Sequence, residues 1–299
     1  MEEISLSGVY APIPTPFDAG GAVAHDRLAE NIARWSQTSL AGLVVLGTNG
    51  EYIYLSDEEK LEVLRTARQA IPKDKLFIAG TGCESTRCTL ELTEQAATIG
   101  ADVAIVITPC YYTSKMDAQA MRRHYLELAE RSPLPILIYN MPACTGIDLS
   151  AETVVGLAQH PNIVGIKDSS GNVVKLGDII RAAPPTFSVL AGSASFFYAA
   201  LVLGAVGTVA ALANIAPEQC YRIYRYAQEG RHEEARQWQL RMIPPNTAVT
   251  ARFGVPGLKQ ALDWLGYYGG PVRSPLGPLD EAQQATLRAT LVEGGILSG

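Results

Sequence analysis

The most constraining feature of this chain is a count: eight short, uninterrupted apolar runs separated by segments of helical periodicity. The runs cover residues 9–13, 43–46, 76–79, 103–107, 136–139, 163–166, 187–191 and 208–212. Continuous apolar character, rather than alternation, is expected of parallel strands buried on both faces. Helical patterns fill 26–37, 57–70, 86–99, 117–131, 151–159, 173–181, 195–203 and 218–229. Ser56-Asp57-Glu58-Glu59 has capping-box spacing, so Ser56 is expected to accept from the Glu59 amide while Glu59 reaches back. Eight βα units joined by right-handed crossovers close most economically into an α/β fold of the (β/α)8 TIM barrel type. A doubly wound open sheet is the competitor, but the turn after its first strand would be Gly-rich, and here it reads Pro12-Ile13-Pro14-Thr15-Pro16. The barrel is expected over 1–229. The remainder, 230–299, has helical patterns at 233–241, 247–252, 257–265 and 280–291 with Pro and Gly joints, and reads as a C-terminal helical extension.

Composition narrows the class of partner. With 47% hydrophobic and 18% charged residues, the 299-residue chain buries a sizeable core. The net charge is −6 and the longest basic run is Arg122-Arg123, so neither nucleic acid nor an anionic membrane is an expected partner. Residues 182–217 carry no charge and are long enough for a membrane span. Pro184-Pro185, Gly192, Gly204 and Gly207 divide that stretch, and a buried strand, helix, strand unit is the expectation. Met1-Glu2-Glu3-Ile4-Ser5 resembles neither a secretory signal nor a transit peptide, so a cytoplasmic location is expected. Five widely spread cysteines without a C-x-x-C, and four histidines, suggest neither a disulfide framework nor a metal site.

In a barrel of this kind the chemistry gathers where strands end and the following loops begin. Lys167 stands out there, because among the lysines it alone follows an unbroken apolar run, Ile163-Val164-Gly165-Ile166. Desolvation favours the neutral amine of a lysine, the form that attacks a carbonyl to make a Schiff base. The competing interpretation is a structural ion pair with Asp168 or Glu51. Tyr139 closes the neighbouring run and is expected beside Lys167, as a proton relay or as a packed ring. Thr48 and Asn49 lie in a Gly-flanked turn, Gly47-Thr48-Asn49-Gly50-Glu51, whose amides can face an anion. Cys83 and Cys144 have no histidine partner in a recognisable arrangement and are poor candidates for nucleophiles.

Six motifs, read jointly, carry a resemblance: Thr15-Pro16-Phe17, the turn at 47–51, Thr108-Pro109, Tyr139-Asn140-Met141-Pro142, Gly165-Ile166-Lys167-Asp168 and Ala191-Gly192-Ser193. The sequence resembles, over essentially its whole length, the superfamily of dihydrodipicolinate synthases and N-acetylneuraminate lyases, which are class I Schiff-base aldolases. The resemblance implies a cofactor-free homotetramer acting on pyruvate units. It implies that Lys167 forms the imine, that Thr48 and Asn49 hold the pyruvate carboxylate, and that Tyr139 shuttles protons. It further implies that the Thr48 hydroxyl links Tyr139 to Tyr111, which reaches into a neighbouring subunit's site, and that Val209 lines the pocket through its carbonyl.

Within the superfamily, synthases typically carry an arginine two residues beyond the Tyr-Asn-x-Pro proline, where this chain has Cys144. The segments at 80–86, 108–112, 253–259 and 263–271 are most similar to 4-hydroxy-2-oxoglutarate aldolases, which release pyruvate and glyoxylate. Ser169 and Gly192 match substrate-contacting positions of that enzyme. Dihydrodipicolinate synthesis from pyruvate and aspartate semialdehyde is the alternative, and a silent barrel that binds 2-oxo acids is a third. The lysine-sensing pocket of regulated synthases maps onto Tyr52, Ile53, Lys60, Glu84, Cys88 and Cys110, where Cys88 replaces a carboxylate and Cys110 a tyrosine.

Overall fold

Each strand of a closed barrel has two apolar surfaces to fill, and the burial pattern shows both. In the computed structural model, which describes residues 4–298, Leu137 and Tyr139 face the barrel interior with Tyr10, Val44, Ile78 and Val209. Ile136 and Ile138 of the same strand face outward into the layer beneath the helices. Among the described residues, eight parallel strands close on themselves: β1 (Gly8–Pro12), β2 (Gly42–Val45), β3 (Leu76–Gly80), β4 (Val103–Ile107), β5 (Ile136–Asn140), β6 (Ile163–Asp168), β7 (Ser188–Ala191) and β8 (Gly207–Val209). β1 pairs with both β2 and β8, which completes the ring.

The outer layer is α1 (His25–Ser36), α2 (Asp57–Ala70), α3 (Thr86–Ile99), α4 (Ala118–Arg131), the four-residue α5 (Pro142–Thr145), α6 (Ala151–Leu157), α7 (Val173–Ala182), α8 (Phe197–Leu203) and α9 (Pro217–Gln228). The capping box at Ser56 forms as its spacing predicts. The uncharged stretch at 182–217 becomes β7, α8 and β8, and no helix among the described residues is long and apolar enough to cross a membrane. Two strands depart from the sequence pattern by more than one residue at an end. β6 runs on through Lys167 and Asp168, and β8 stops at Val209, after which Ala211–Asn214 wind into a 3-10 turn. The Asn214 side-chain amide donates to the carbonyls of Pro12 and Ala211, both at 3.0 Å, turning the chain off the sheet. An apolar run alone does not separate a strand from a buried turn.

A bulge in β6 sets the direction in which Lys167 points. Ile136 pairs with Ile163 but Leu137 pairs with Gly165, so Val164 is an extra residue. The shift puts Lys167 directly opposite Tyr139 and in phase with the residues that face the barrel interior.

The C-terminal segment forms α10 (His232–Thr247), a π-helical turn (Ala248–Arg252), α11 (Gly254–Trp264) and α12 (Glu281–Glu293). One of its ties to the barrel is buried and ionic. Lys259 of α11 lies 2.6 Å from the carboxylate of Glu51, and both side chains are 1% exposed. Lys259 also donates to the Pro271 carbonyl at 2.8 Å, and the Arg273 amide donates to the other Glu51 oxygen at 2.8 Å. Burial pushes the Lys259 pKa down, with Glu51 opposing the shift. Removing one partner of such a pair strands the other charge, at a cost of about 3–5 kcal/mol. Urea unfolding of Lys259→Ala is therefore expected to show a loss of that order. Glu51→Leu combined with Lys259→Met is expected to lose less than Lys259→Ala alone.

Candidate active site

β5 and β6 position the central pair. Tyr139 and Lys167 are register partners, Lys167 is 4% exposed, and its ammonium sits 3.9 Å from the centroid of the Tyr139 ring. The contact is a cation–π interaction in a largely dehydrated setting. Neither carboxylate that could have neutralised Lys167 does so. Glu51 belongs to Lys259. Asp168, with no exposure, lies 2.9 Å from Lys175 Nζ, and accepts from the Asn140 side chain at 2.8 Å and from the amide and hydroxyl of Ser170 at 2.9 and 2.5 Å. Lys175 also contacts Asp148. Among the described residues, Lys167 makes no ion pair, which removes the structural-pair alternative.

The turn after β2 is built tightly. Leu46 enters it with φ +60° and Glu51 leaves it with φ +52°, both in the left-handed region that non-glycine residues avoid. Between them Thr48–Gly50 form one 3-10 turn in which Gly50 and Glu51 donate to the carbonyls of Gly47 and Thr48. The Thr15 hydroxyl donates to the Gly50 carbonyl at 2.7 Å, and the Asn49 side chain donates to the Pro12 carbonyl at 3.2 Å. The amides of Thr48 and Asn49 find no acceptor among the described residues. Two neighbouring free N–H groups at the start of a helical turn suit an anion such as a carboxylate. The Thr48 hydroxyl is 3.1 Å from the Tyr139 hydroxyl, which joins the turn to the lysine–tyrosine pair.

These residues open onto a cavity of about 460 Å³. Lys167, Tyr139, Thr48, Asn49, Ser169, Gly192, Val209 and Cys144, widely separated in sequence, all line it. Gly192 has a packing reason to be glycine, since a Cβ there would lie 2.0 Å from Ser169 Oγ and 2.7 Å from the Asp168 carbonyl. Tyr111 is not brought to the cavity within this chain. It is 79% exposed, on a loop held by Glu84, whose carboxylate accepts the amides of Cys110 at 2.9 Å and Tyr111 at 2.8 Å.

Sequence reasoning missed a whole wall. Thr247 at the end of α10, Val249, Thr250 and Ala251 of the π-helical turn, and Gly254 and Val255 of α11 line the cavity together with Ser193 and Ser195. The C-terminal extension is thus part of the site and not only an appendage beside it. Its advance signals were Pro244-Pro245, which sits near the end of α10 and announces irregular backbone, and the aldolase-like segment at 253–259. Cys83, Cys110, Cys144 and Cys220 are not activated nucleophiles. Burial raises the thiol pKa of Cys83, Cys110 and Cys144, and pushes that of Cys220 up to about 12. Among the described residues, no group of three or more His, Cys, Asp or Glu side chains is placed to hold a metal ion.

An unpaired buried amine facing such a cavity at the strand ends of a (β/α)8 barrel suits Schiff-base chemistry on a carbonyl ligand. The chain is a member of the dihydrodipicolinate synthetase family, whose model matches residues 5–293. It is 36% identical over 296 residues to a DapA-like lyase of Halobacterium salinarum, covering 99% of this chain and 96% of that one. It is 34% identical to a probable mitochondrial 4-hydroxy-2-oxoglutarate aldolase of Emericella nidulans, over 96% and 94% of the two chains. The crystal structure of a chloride-inhibited dihydrodipicolinate synthase from Acinetobacter baumannii, complexed with pyruvate, superposes with a TM-score of 0.93 at 33% identity, over 98% of this chain and 100% of that one.

Proposed function

We propose that this protein cleaves 4-hydroxy-2-oxoglutarate to pyruvate and glyoxylate through an imine on Lys167. The observation that carries this reading is the buried Lys167 amine without a carboxylate partner, in one cavity with the free amides of Thr48 and Asn49. The C1 carboxylate of the substrate binds those amides, which sets C2 before Lys167 Nζ. Attack and loss of water give the protonated imine. Removal of the proton from the C4 hydroxyl, by Tyr139, breaks the C3–C4 bond. Its electron pair moves toward the iminium nitrogen, leaving a neutral enamine and glyoxylate. Protonation at C3 and hydrolysis then release pyruvate and restore the amine. The Thr48–Tyr139 hydroxyl contact supports proton passage between them.

Tyr111 and Tyr112, 79% and 69% exposed, support a homotetramer in which a second copy covers this loop and Tyr111 completes the relay at a neighbouring Thr48. The choice of substrate rests on Cys144, which lines the cavity where synthases typically hold an arginine, and on the sequence resemblance to the aldolases at 253–259, whose Gly254 and Val255 line the cavity. A thiol offers nothing like the bidentate grip of a guanidinium on a carboxylate. Dihydrodipicolinate synthesis remains the alternative, favoured by the likeness to the synthase complexed with pyruvate.

Borohydride reduction in the presence of pyruvate is expected to leave a covalent adduct on Lys167, located by mass spectrometry, and Lys167→Ala is expected to be inactive. An adduct on another lysine would rule out the mechanism. Tyr139→Phe is expected to keep the trapped imine measurable while lowering kcat by about 10²-fold or more, the contribution of a positioned acid or base. An unchanged kcat would reduce Tyr139 to packing. Release of glyoxylate from 4-hydroxy-2-oxoglutarate should outpace condensation of pyruvate with aspartate semialdehyde, and the reverse order would establish the synthase. Millimolar free lysine is expected not to inhibit, because Cys88 offers no carboxylate to the ligand's ammonium and Glu84 is already engaged by two amides. Saturable inhibition in steady-state assays would contradict this.

A further inference from the structure

The segment after β7 carries Ser193 and Ser195, which line the cavity, and α10 grips that segment twice. Gln239 holds its backbone: its side-chain N–H groups donate to the carbonyls of Ala194 at 2.7 Å and Ser195 at 3.2 Å, and its oxygen accepts from the Tyr198 amide at 2.8 Å. Asn246, two helical turns further on and 1% exposed, holds its side chains. The Asn246 Nδ2 group donates to Ser193 Oγ at 3.0 Å and to Ser195 Oγ at 2.7 Å.

An amide nitrogen has two hydrogens, and these two bonds use both. Each serine oxygen therefore accepts from Asn246, and neither hydroxyl proton has an acceptor among the described residues. Asn246 Oδ1 is left buried without a partner among the described residues. Reversing the amide would instead bury two unpaired N–H hydrogens, the rarer and costlier arrangement. The orientation matters, because it turns both serine hydroxyls into donors toward the cavity. Among the described residues Lys167 is the only charged group lining that cavity, so within this chain a second substrate carboxylate meets neutral donors.

Resting on the 4-hydroxy-2-oxoglutarate reading, we infer that Asn246 is a positioning residue that polarises Ser193 and Ser195 into paired O–H donors for the remote carboxylate, the one that departs with glyoxylate. Asn246 itself touches no reacting atom. Its role is to set which way two hydroxyls point.

The test compares kcat/KM for 4-hydroxy-2-oxoglutarate with that for 4-hydroxy-2-oxopentanoate, in which a methyl group replaces the remote carboxylate. In Asn246→Ala the ratio of the two is expected to fall about tenfold or more, carried by KM for the dicarboxylate, as loss of a charge-assisted hydrogen bond requires. Ser195→Ala, which removes one oxygen and leaves α10 intact, is expected to move the ratio in the same direction. An equal loss for both substrates, or an unmoved ratio in both variants, would overturn the role of Asn246. Failure of the unmodified protein to trap pyruvate on Lys167 or to cleave the dicarboxylate would instead overturn the reading beneath it.

Discussion

Two buried ion pairs leave one lysine alone, and much of the candidate site depends on that. Glu51 and Asp168 are the acidic groups whose sequence positions invited a pairing with Lys167. Lys259, brought in from α11, takes the first, and Lys175, on the helix that follows β6, takes the second. Each pair is costly to desolvate and contributes little net stability beyond what apolar packing would. Their consequence lies elsewhere: the Lys167 amine is buried with the face of Tyr139 beside its nitrogen and, among the described residues, no ion pair.

The same pairs organise the walls. Glu51 ends the turn that exposes the Thr48 and Asn49 amides, in a left-handed conformation that the Lys259 and Arg273 contacts hold in place. Lys259 lies one turn beyond Gly254 and Val255, which line the cavity. One ion pair thus ties the turn suited to an anion to the wall facing the rest of the ligand. Asp168, through Asn140, ties the end of β6 to the end of β5, the strands bearing Lys167 and Tyr139. Strain at Leu46 and Glu51 is tolerated because the surrounding contacts over-determine the turn.

The barrel was legible because its signals are local. Eight apolar runs and their intervening helical periodicity follow from each strand and helix having faces to bury, and β3 and β4 lie within a residue of their expected bounds. α2 and α3 have the bounds their patterns predict. β8 was read too long because an apolar run does not say whether its backbone pairs with a strand or winds into a turn. Lys167 and Tyr139 were legible as neighbours because they close adjacent runs. Their alignment, however, depends on the bulge at Val164, which no pattern of polarity announces.

What the sequence determined by itself was the order of elements, the strand ends from which a site could be built, and the residue types available there. What only the tertiary structure decided was pairing: which lysine each acid holds, which amides stay free, and that residues 247–255 return to wall the cavity. The division has a physical cause. Burial and helical periodicity are set by residues a few positions apart, whereas an ion pair or a hydrogen bond depends on approach within about 3 Å of groups such as Glu51 and Lys259, and only the closed chain sets that distance.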